Sequence, residues 1–273
     1  MSLARTSETA VTQGQIYAIC ILALIANAVA KTVIAVAAQE HAGALAQGLG
    51  LSWAFWLSFA LCVRLALISE PTPARPKDWL VATVCVLVAA TPIGPASSAA
   101  ATGLGLWLIF NRSSESHLKA AGMVLLAITV NLLWGRLLMA FFAAPVAALD
   151  ARLVGLIVHT QVQNNTVWML DSRHRFMIIE ACTSVENASV ALMMFVAIVR
   201  TFRSAPKPKE MLYLGAVFAF VVAVNDARLS LMARSPDMFE LVHGPASWAA
   251  LNAIFTIAGL VGAAMCVRRE ILA

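Results

Sequence analysis

Long apolar runs separated by short polar segments dominate this chain. Stretches long enough to cross a bilayer, which takes about 20 residues within a range near 17–25, occur at roughly 14–38, 48–69, 117–141, 177–200, 209–232 and 245–267. A further apolar stretch, from Trp79 to Phe110, is broken by Thr91-Pro92-Ile93-Gly94-Pro95. Prolines there end one helix and let the next begin. Read as two short spans the stretch makes eight in total, and read as one kinked span it makes seven. The period shifts in the segment 142–176. Its first half, Pro145 to Leu156, carries Asp150 and Arg152 among alanines and aliphatics, and predicts a helix lying in the interface. In its second half Val158, Thr160 and Val162 alternate up to Asn164-Asn165, followed by Val167 and Met169. That pattern predicts a small β-hairpin, which must rest on other elements to be stable.

Composition fits this pattern. Hydrophobic residues make up 61 % and charged residues 12 %, against about 45–50 % and ~25 % in a soluble domain. The mean hydropathy is +0.83. The reading is an all-α integral membrane protein: one polytopic helical bundle over 1–273, with about eight transmembrane helices and a small extracytoplasmic helix and β-hairpin insertion at about 142–176. The first span reads as a retained helix, because its apolar run continues past Ala28-Val29-Ala30 towards Ala38, beyond a typical signal-peptide core.

The net charge of +5 gains its meaning from placement. Lys and Arg accumulate on the cytoplasmic side of membrane proteins. With eight spans, Arg5, Arg64, Arg75, Lys77, Arg112, Lys119, Arg200, Arg203, Lys207, Lys209, Arg268 and Arg269 fall on one side. With seven they split. Eight spans with both termini in the cytoplasm is therefore the preferred topology. It places the chain as a multi-pass protein of the inner (cytoplasmic) membrane in contact with lipid, and nucleic acid is not needed to explain the charge.

Five cysteines without a CxxC pair give neither a zinc ribbon nor a disulfide framework. Cys20, Cys62, Cys85 and Cys266 lie in apolar helices, where cysteine is usually a small buried hydrophobe. Cys182, in Glu180-Ala181-Cys182-Thr183-Ser184, stands near the outer end of the 177–200 span, where a helix N-terminus favours a thiolate nucleophile. Arg228, in Asn225-Asp226-Ala227-Arg228, and His243, in His243-Gly244-Pro245, come to the same surface from two other helices. A Cys–His pair can attack a carbonyl and protonate the leaving amine, and an Arg guanidinium can stabilise the oxyanion. A helix unbroken from 177 would set Glu186 on the face of Cys182 and Glu180 elsewhere. Glu186 could then orient His243 or pair with Arg228, and Asn225 shares the face of Arg228. Plainer readings stand beside these: His243 as an interfacial side chain, Arg228 as a snorkelling anchor or partner of Asp226, and Glu180 as a first-turn carboxylate. His41, His117, His159 and His174 read as loop residues without a second ligand at metal spacing, so neither a metal nor a cofactor is expected. Lys31 and Arg136 read as buried charges without an assigned role.

The order and setting of these motifs resemble the exosortase/archaeosortase family of multispan membrane transpeptidases. In that family a cysteine follows Glu-Ala at an outer helix end, an Asn-x-x-Arg motif lies on the next span, and a histidine precedes the last. Here Glu180-Ala181-Cys182, Asn225-Asp226-Ala227-Arg228 and His243-Gly244 match in order, and the similarity extends through roughly 117–267. Thr183-Ser184 stands where the family has Ser-Gly, which bears on subfamily and substrate choice. The resemblance implies a thiol protease and transpeptidase with Cys182 as nucleophile, His243 as acid/base and Arg228 as electrostatic partner, on the extracytoplasmic face. It implies exported protein substrates ending in a short motif, an apolar helix and a basic tail. Cleavage would leave an acyl-enzyme, resolved by water or by an acceptor amine, lipid or glycan of unknown identity. The competing classes are another membrane Cys–His acyltransferase or hydrolase, and a non-enzymatic transport or assembly protein. A transporter would carry midplane charges in repeated halves, and no such symmetry is visible.

Overall fold

The computed structural model describes residues 11–38, 48–111, 113–171 and 173–272. Arg5, His41 and Arg112 lie outside the described residues. The chain is helical almost throughout: α1 (Gln13–Ala37), α2 (Trp53–Leu67), α3 (Pro76–Ala89), α4 (Gly94–Phe110), α5 (Ser116–Thr129) and α6 (Gly135–Val158) come first. Three short strands follow, β1 (Val162–Gln163), β2 (Thr166–Trp168) and β3 (Arg175–Met177). The chain closes with α7 (Ser184–Phe202), α8 (Lys209–Met232), α9 (Pro236–His243), α10 (Pro245–Cys266) and α11 (Arg268–Ile271).

Among the described residues, five helical segments are long and apolar enough to cross a membrane: α1, the joined α5–α6 run, α7, α8 and α10. The Pro92–Pro95 break does produce two helices, α3 of 14 residues and α4 of 17. At 1.5 Å per residue α3 is only about 21 Å long, short of a hydrocarbon core of about 30 Å. The α3–α4 turn meets α1 partway along its length, where Asn27 Nδ2 donates to the Thr91 carbonyl at 2.8 Å and to Ser97 Oγ at 2.7 Å.

The main core is built from α1, α2, α4, α5 and α7 around Tyr17, Leu24, Phe55, Leu108, Leu125 and Met193. Hydrophobic force between helices is weak in lipid, so close backbone approach matters more. Helices α4 and α5 cross at Gly105 and Gly122, where a Cβ on Gly122 would lie 2.8 Å from the Gly105 carbonyl oxygen. A second core joins α7, α8 and α10 around Phe195, Val221 and Phe255. A third, around Val154, Val167, Ile178, Cys182 and Leu229, glues the sheet to the ends of α6 and α8.

Buried polar groups tie the helix ends. The carboxylate of Asp78, fully buried, accepts from Tyr17 Oη at 2.6 Å, Gln13 Nε2 at 2.9 Å and the Arg75 backbone at 2.8 Å. At the junction of α7, α8 and α11, Arg200 pairs with Glu210, Arg203 pairs with Glu210 at 3.1 Å and with Glu270, and Lys207 lies 3.3 Å from Glu270. The hydrogen bond from Arg203 holds the Glu270 carboxyl down at about 2. A lowered carboxyl pKa adds stability that is complete above the ordinary value near 4.3 and is lost as pH falls through the folded-state value. The Glu270 contribution to thermal stability in detergent should therefore be constant above about pH 4.5 and decline towards pH 2. Glu270→Gln should flatten that decline, and an unchanged acid slope in the variant would remove the assignment.

Four expectations need correction. Helix α6 continues α5 through one π-helical turn, Val130–Trp134, so Pro145–Leu156 belongs to a long helix and not to a separate interfacial one. The hairpin at Asn164-Asn165 forms, pairing Val162 with Val167, but a third strand adds to it through Val167–Phe176. That strand ends at Met177, the first residue of the anticipated 177–200 span, and α7 begins only at Ser184. Lys31 and Arg136 are exposed on the bundle, not buried.

Candidate active site

Cys182 sits in a single 3₁₀ turn, Glu180–Cys182, between β3 and α7. Two features of the sequence shape it. Asn165 grips Ile178 from both sides, accepting its N–H at 2.8 Å through the backbone and donating to its carbonyl at 2.9 Å through the side chain. Thr183 then closes the turn: its N–H and Oγ1 both donate to the Glu180 carbonyl, at 3.0 and 2.8 Å. The thiol is thereby carried on a short connector ahead of α7 and is only 5 % exposed.

Because Cys182 precedes the helix, the i, i+4 relation to Glu186 does not exist. Glu186 instead faces Arg136 and Glu180 in a polar cavity of about 430 Å³, with Asn131 and Ser189 in its wall. The supporting carboxylates thus stand apart from Arg228 and His243. Neither Glu180 nor Glu186 has an ion pair among the described residues.

Helix α8 supplies the opposite wall. Asn225, fully buried, donates from Nδ2 to the Cys182 carbonyl at 3.0 Å, and its Oδ1 accepts from Asn187 at 3.3 Å. Its contribution is to fix the turn that carries the thiol. One turn further on, Arg228 is 7 % exposed and within electrostatic range of Cys182. Its Nε has no hydrogen-bond partner among the described residues, and the guanidinium forms no ion pair with Asp226 or any other described acid. A buried cation left without an anion is costly. The donors of Arg228 are free to receive negative charge developing beside the sulfur.

His243 ends α9, the short helix between α8 and α10. Its ring is exposed and stacks on Phe239 with centroids 5.0 Å apart, while Phe239 leans on Phe176 at 5.7 Å. Phe239 and Val242 pack against the cluster that contains Cys182. The imidazole therefore stands at the rim of the same cluster, without a hydrogen bond to the thiol among the described residues. The structure brings Cys182, Asn225 and Arg228 together and leaves His243 on Phe239 at the rim of the apolar cluster.

One group at this site escaped the sequence reading. Asp150 is 4 % exposed, and its carboxylate lies within electrostatic range of the backbone N–H of Ser184 in the first turn of α7. Its negative charge suits that helix start, where backbone donors lack partners within the helix. Asp226 lies near it, and Asp150 Oδ2, Asp226 Oδ1 and Ser184 Oγ are all buried without partners among the described residues. The signal was present: Ala147, Ala151 and Val154 flank Asp150 at helical spacing on a buried face. The other described histidines stand elsewhere in the fold. His159 is the left-handed cap of α6, His174 bonds Asp171 at 2.5 Å in an exposed turn, and His117 lies in the first turn of α5 rather than in a loop. Among the described residues, no cluster of three metal-ligating side chains occurs. Cys20, Cys62, Cys85 and Cys266 are free thiols buried in helix packing. No family model matches this chain, and neither a curated protein nor a solved structure matches it.

Proposed function

We propose that this chain is a membrane-embedded cysteine transpeptidase that removes a C-terminal sorting signal from exported proteins. The observation that carries the reading is the buried, unpaired guanidinium of Arg228 beside the enclosed thiol of Cys182. In the proposed reaction His243 accepts the thiol proton and the thiolate attacks the scissile carbonyl carbon. A C–S bond forms, and Arg228 receives the oxyanion. Collapse of this adduct breaks the C–N bond, and the imidazolium protonates the departing amine. An acceptor amine, or water, then attacks the thioester and restores the thiol. His243 leaves its stack on Phe239 to reach sulfur when substrate is bound, as catalytic hydrogen bonds commonly tighten only in the Michaelis complex.

The topology that accompanies this reading has eight crossings, with α2, α3 and α4 as three short ones. Residue 12 and the Arg200–Glu270 cluster face the cytoplasm, and Cys182, Arg228 and His243 face outward. Reporter fusions at residues 205 and 238 are expected to report opposite sides of the membrane, and equal locations would refute it. For the reaction itself, the substrate is an exported reporter ending in motif, apolar helix and basic tail, drawn from the same genome. Co-expression should shorten the reporter by the mass of its tail. Hydroxylamine added during turnover should release it as a hydroxamate from the thioester. No tail loss with any such reporter would overturn the proposal.

A further inference from the structure

Two adjoining cavities lie on the side of α7 that the reaction above does not use. The first is the polar space of about 430 Å³ holding Arg136, Glu180 and Glu186. The second, of about 980 Å³, is bounded almost wholly by apolar groups of α6, α7 and α8, among them Leu138, Phe142, Leu192 and Phe218. Both share Gly135, Val185 and Ser189, so they form one continuous space with a charged end and an oily end. The charged end holds one cation and two anions. Arg136, Glu180 and Glu186 have no ion pair among the described residues, although Glu186 lies within electrostatic range of both others. At the oily end, a Cβ added to Gly215 would meet no atom within 4 Å, so the floor is open.

A free acyl chain would suit the oily end alone and make no use of the three exposed charges beside it. A soluble zwitterion would suit only the charged end. We infer that this composite space binds a phospholipid whose headgroup carries a primary ammonium, with Arg136 holding the phosphate, Glu180 and Glu186 the ammonium, and the apolar cavity an acyl chain. Arg presents a fork of donors matched to phosphate oxygens. Two carboxylates need N–H donors as well as positive charge, which a quaternary ammonium lacks. The binding site is independent of the thiol chemistry proposed above.

Native mass spectrometry of the purified full chain, incubated in detergent with equimolar phosphatidylethanolamine, phosphatidylcholine and phosphatidylglycerol, tests the inference. Phosphatidylethanolamine should be retained at least about tenfold over the other two, the size expected when a charge-assisted hydrogen bond is lost. Glu180→Gln with Glu186→Gln should bring it down to the phosphatidylcholine level. Arg136→Gln and Gly215→Leu should lower retention of all three lipids. Equal retention of the ethanolamine and choline lipids by the unaltered chain would overturn the proposal, and that comparison needs no variant to fold. A preference that survives the double Gln substitution would overturn it too. If Gly215→Leu blocked processing of a sorting substrate but left lipid retention intact, the apolar cavity would belong to the substrate's helix and the lipid assignment would fall.

Discussion

Cys182→Ala is expected to abolish processing of a sorting substrate while the chain stays folded in the membrane. The thiol forms no hydrogen bond among the described residues. Its turn is held by the Ile179, Glu180 and Asn225 contacts, which involve backbone atoms of residues 178–183 and not the sulfur. Removing one sulfur from a packed site costs stability of about 1 kcal/mol, the centre of the distribution for point variants. Loss of the nucleophile removes the covalent route altogether. Cys182→Ser should be nearly as inactive, because a hydroxyl is far harder to ionise than a thiol. Replacing Cys20, Cys62, Cys85 and Cys266 together should leave most activity, since their thiols lie in helix packing. Processing is read as tail loss at equal membrane abundance. An active Cys182→Ala chain would end the assignment, whatever the outcome of the lipid experiment.

Arg228→Lys should lose about 10²–10³ in turnover, the usual cost of removing one oxyanion donor, while expression and melting temperature change little. The substitution separates two roles for one side chain. A snorkelling anchor needs a long stem and a positive charge, and lysine supplies both. A clamp on developing charge needs the planar fork, which lysine lacks. The low exposure of Arg228 and its unpartnered Nε favour the second. The loss should fall on kcat more than on KM, because the interaction strengthens only as charge develops. Near-normal turnover would reduce Arg228 to an anchor and leave Cys182 with His243 as a dyad.

The parts of this molecule that are local were readable from its sequence. Apolar runs of sufficient length became helices, and Asn164 takes the left-handed conformation, φ 54°, that a turn between alternating strands demands. The connector that carries the thiol was not readable. Phe176, Met177, Ile178 and Ile179 are four apolar residues in a row, a pattern that periodicity cannot divide between strand and helix. A strand forms over Phe176 and Met177 because Val167, nine residues before Phe176, supplies a ladder to join. Asp150 was misplaced for a similar reason. A carboxylate among alanines looks like a solvent face until another helix brings a bare N-terminus to it. Helix α9, by contrast, had announced itself: Ser235 caps it through the Met238 N–H and Pro236 opens its first turn. The cysteine, arginine and histidine stood out as candidates because charges and thiols at a membrane surface are few in this chain. Their spacing was not, since it depends on where α7 begins.

The π-helical turn at Val130–Trp134 has a consequence for how this chain tolerates insertion and deletion. Such a turn is an α-helix with one residue added, so losing a single residue there should let the ladder relax to ordinary α geometry. Every residue of α6 would then swing by about 100° and move about 1.5 Å along the axis. Arg136 would leave the polar cavity, and Asp150 would turn away from the start of α7. A deletion of Leu132 would keep the composition, hydropathy and helix content of the segment almost intact. It would nonetheless uncouple the two halves of the molecule on either side of the thiol, as a gear does when it slips one tooth.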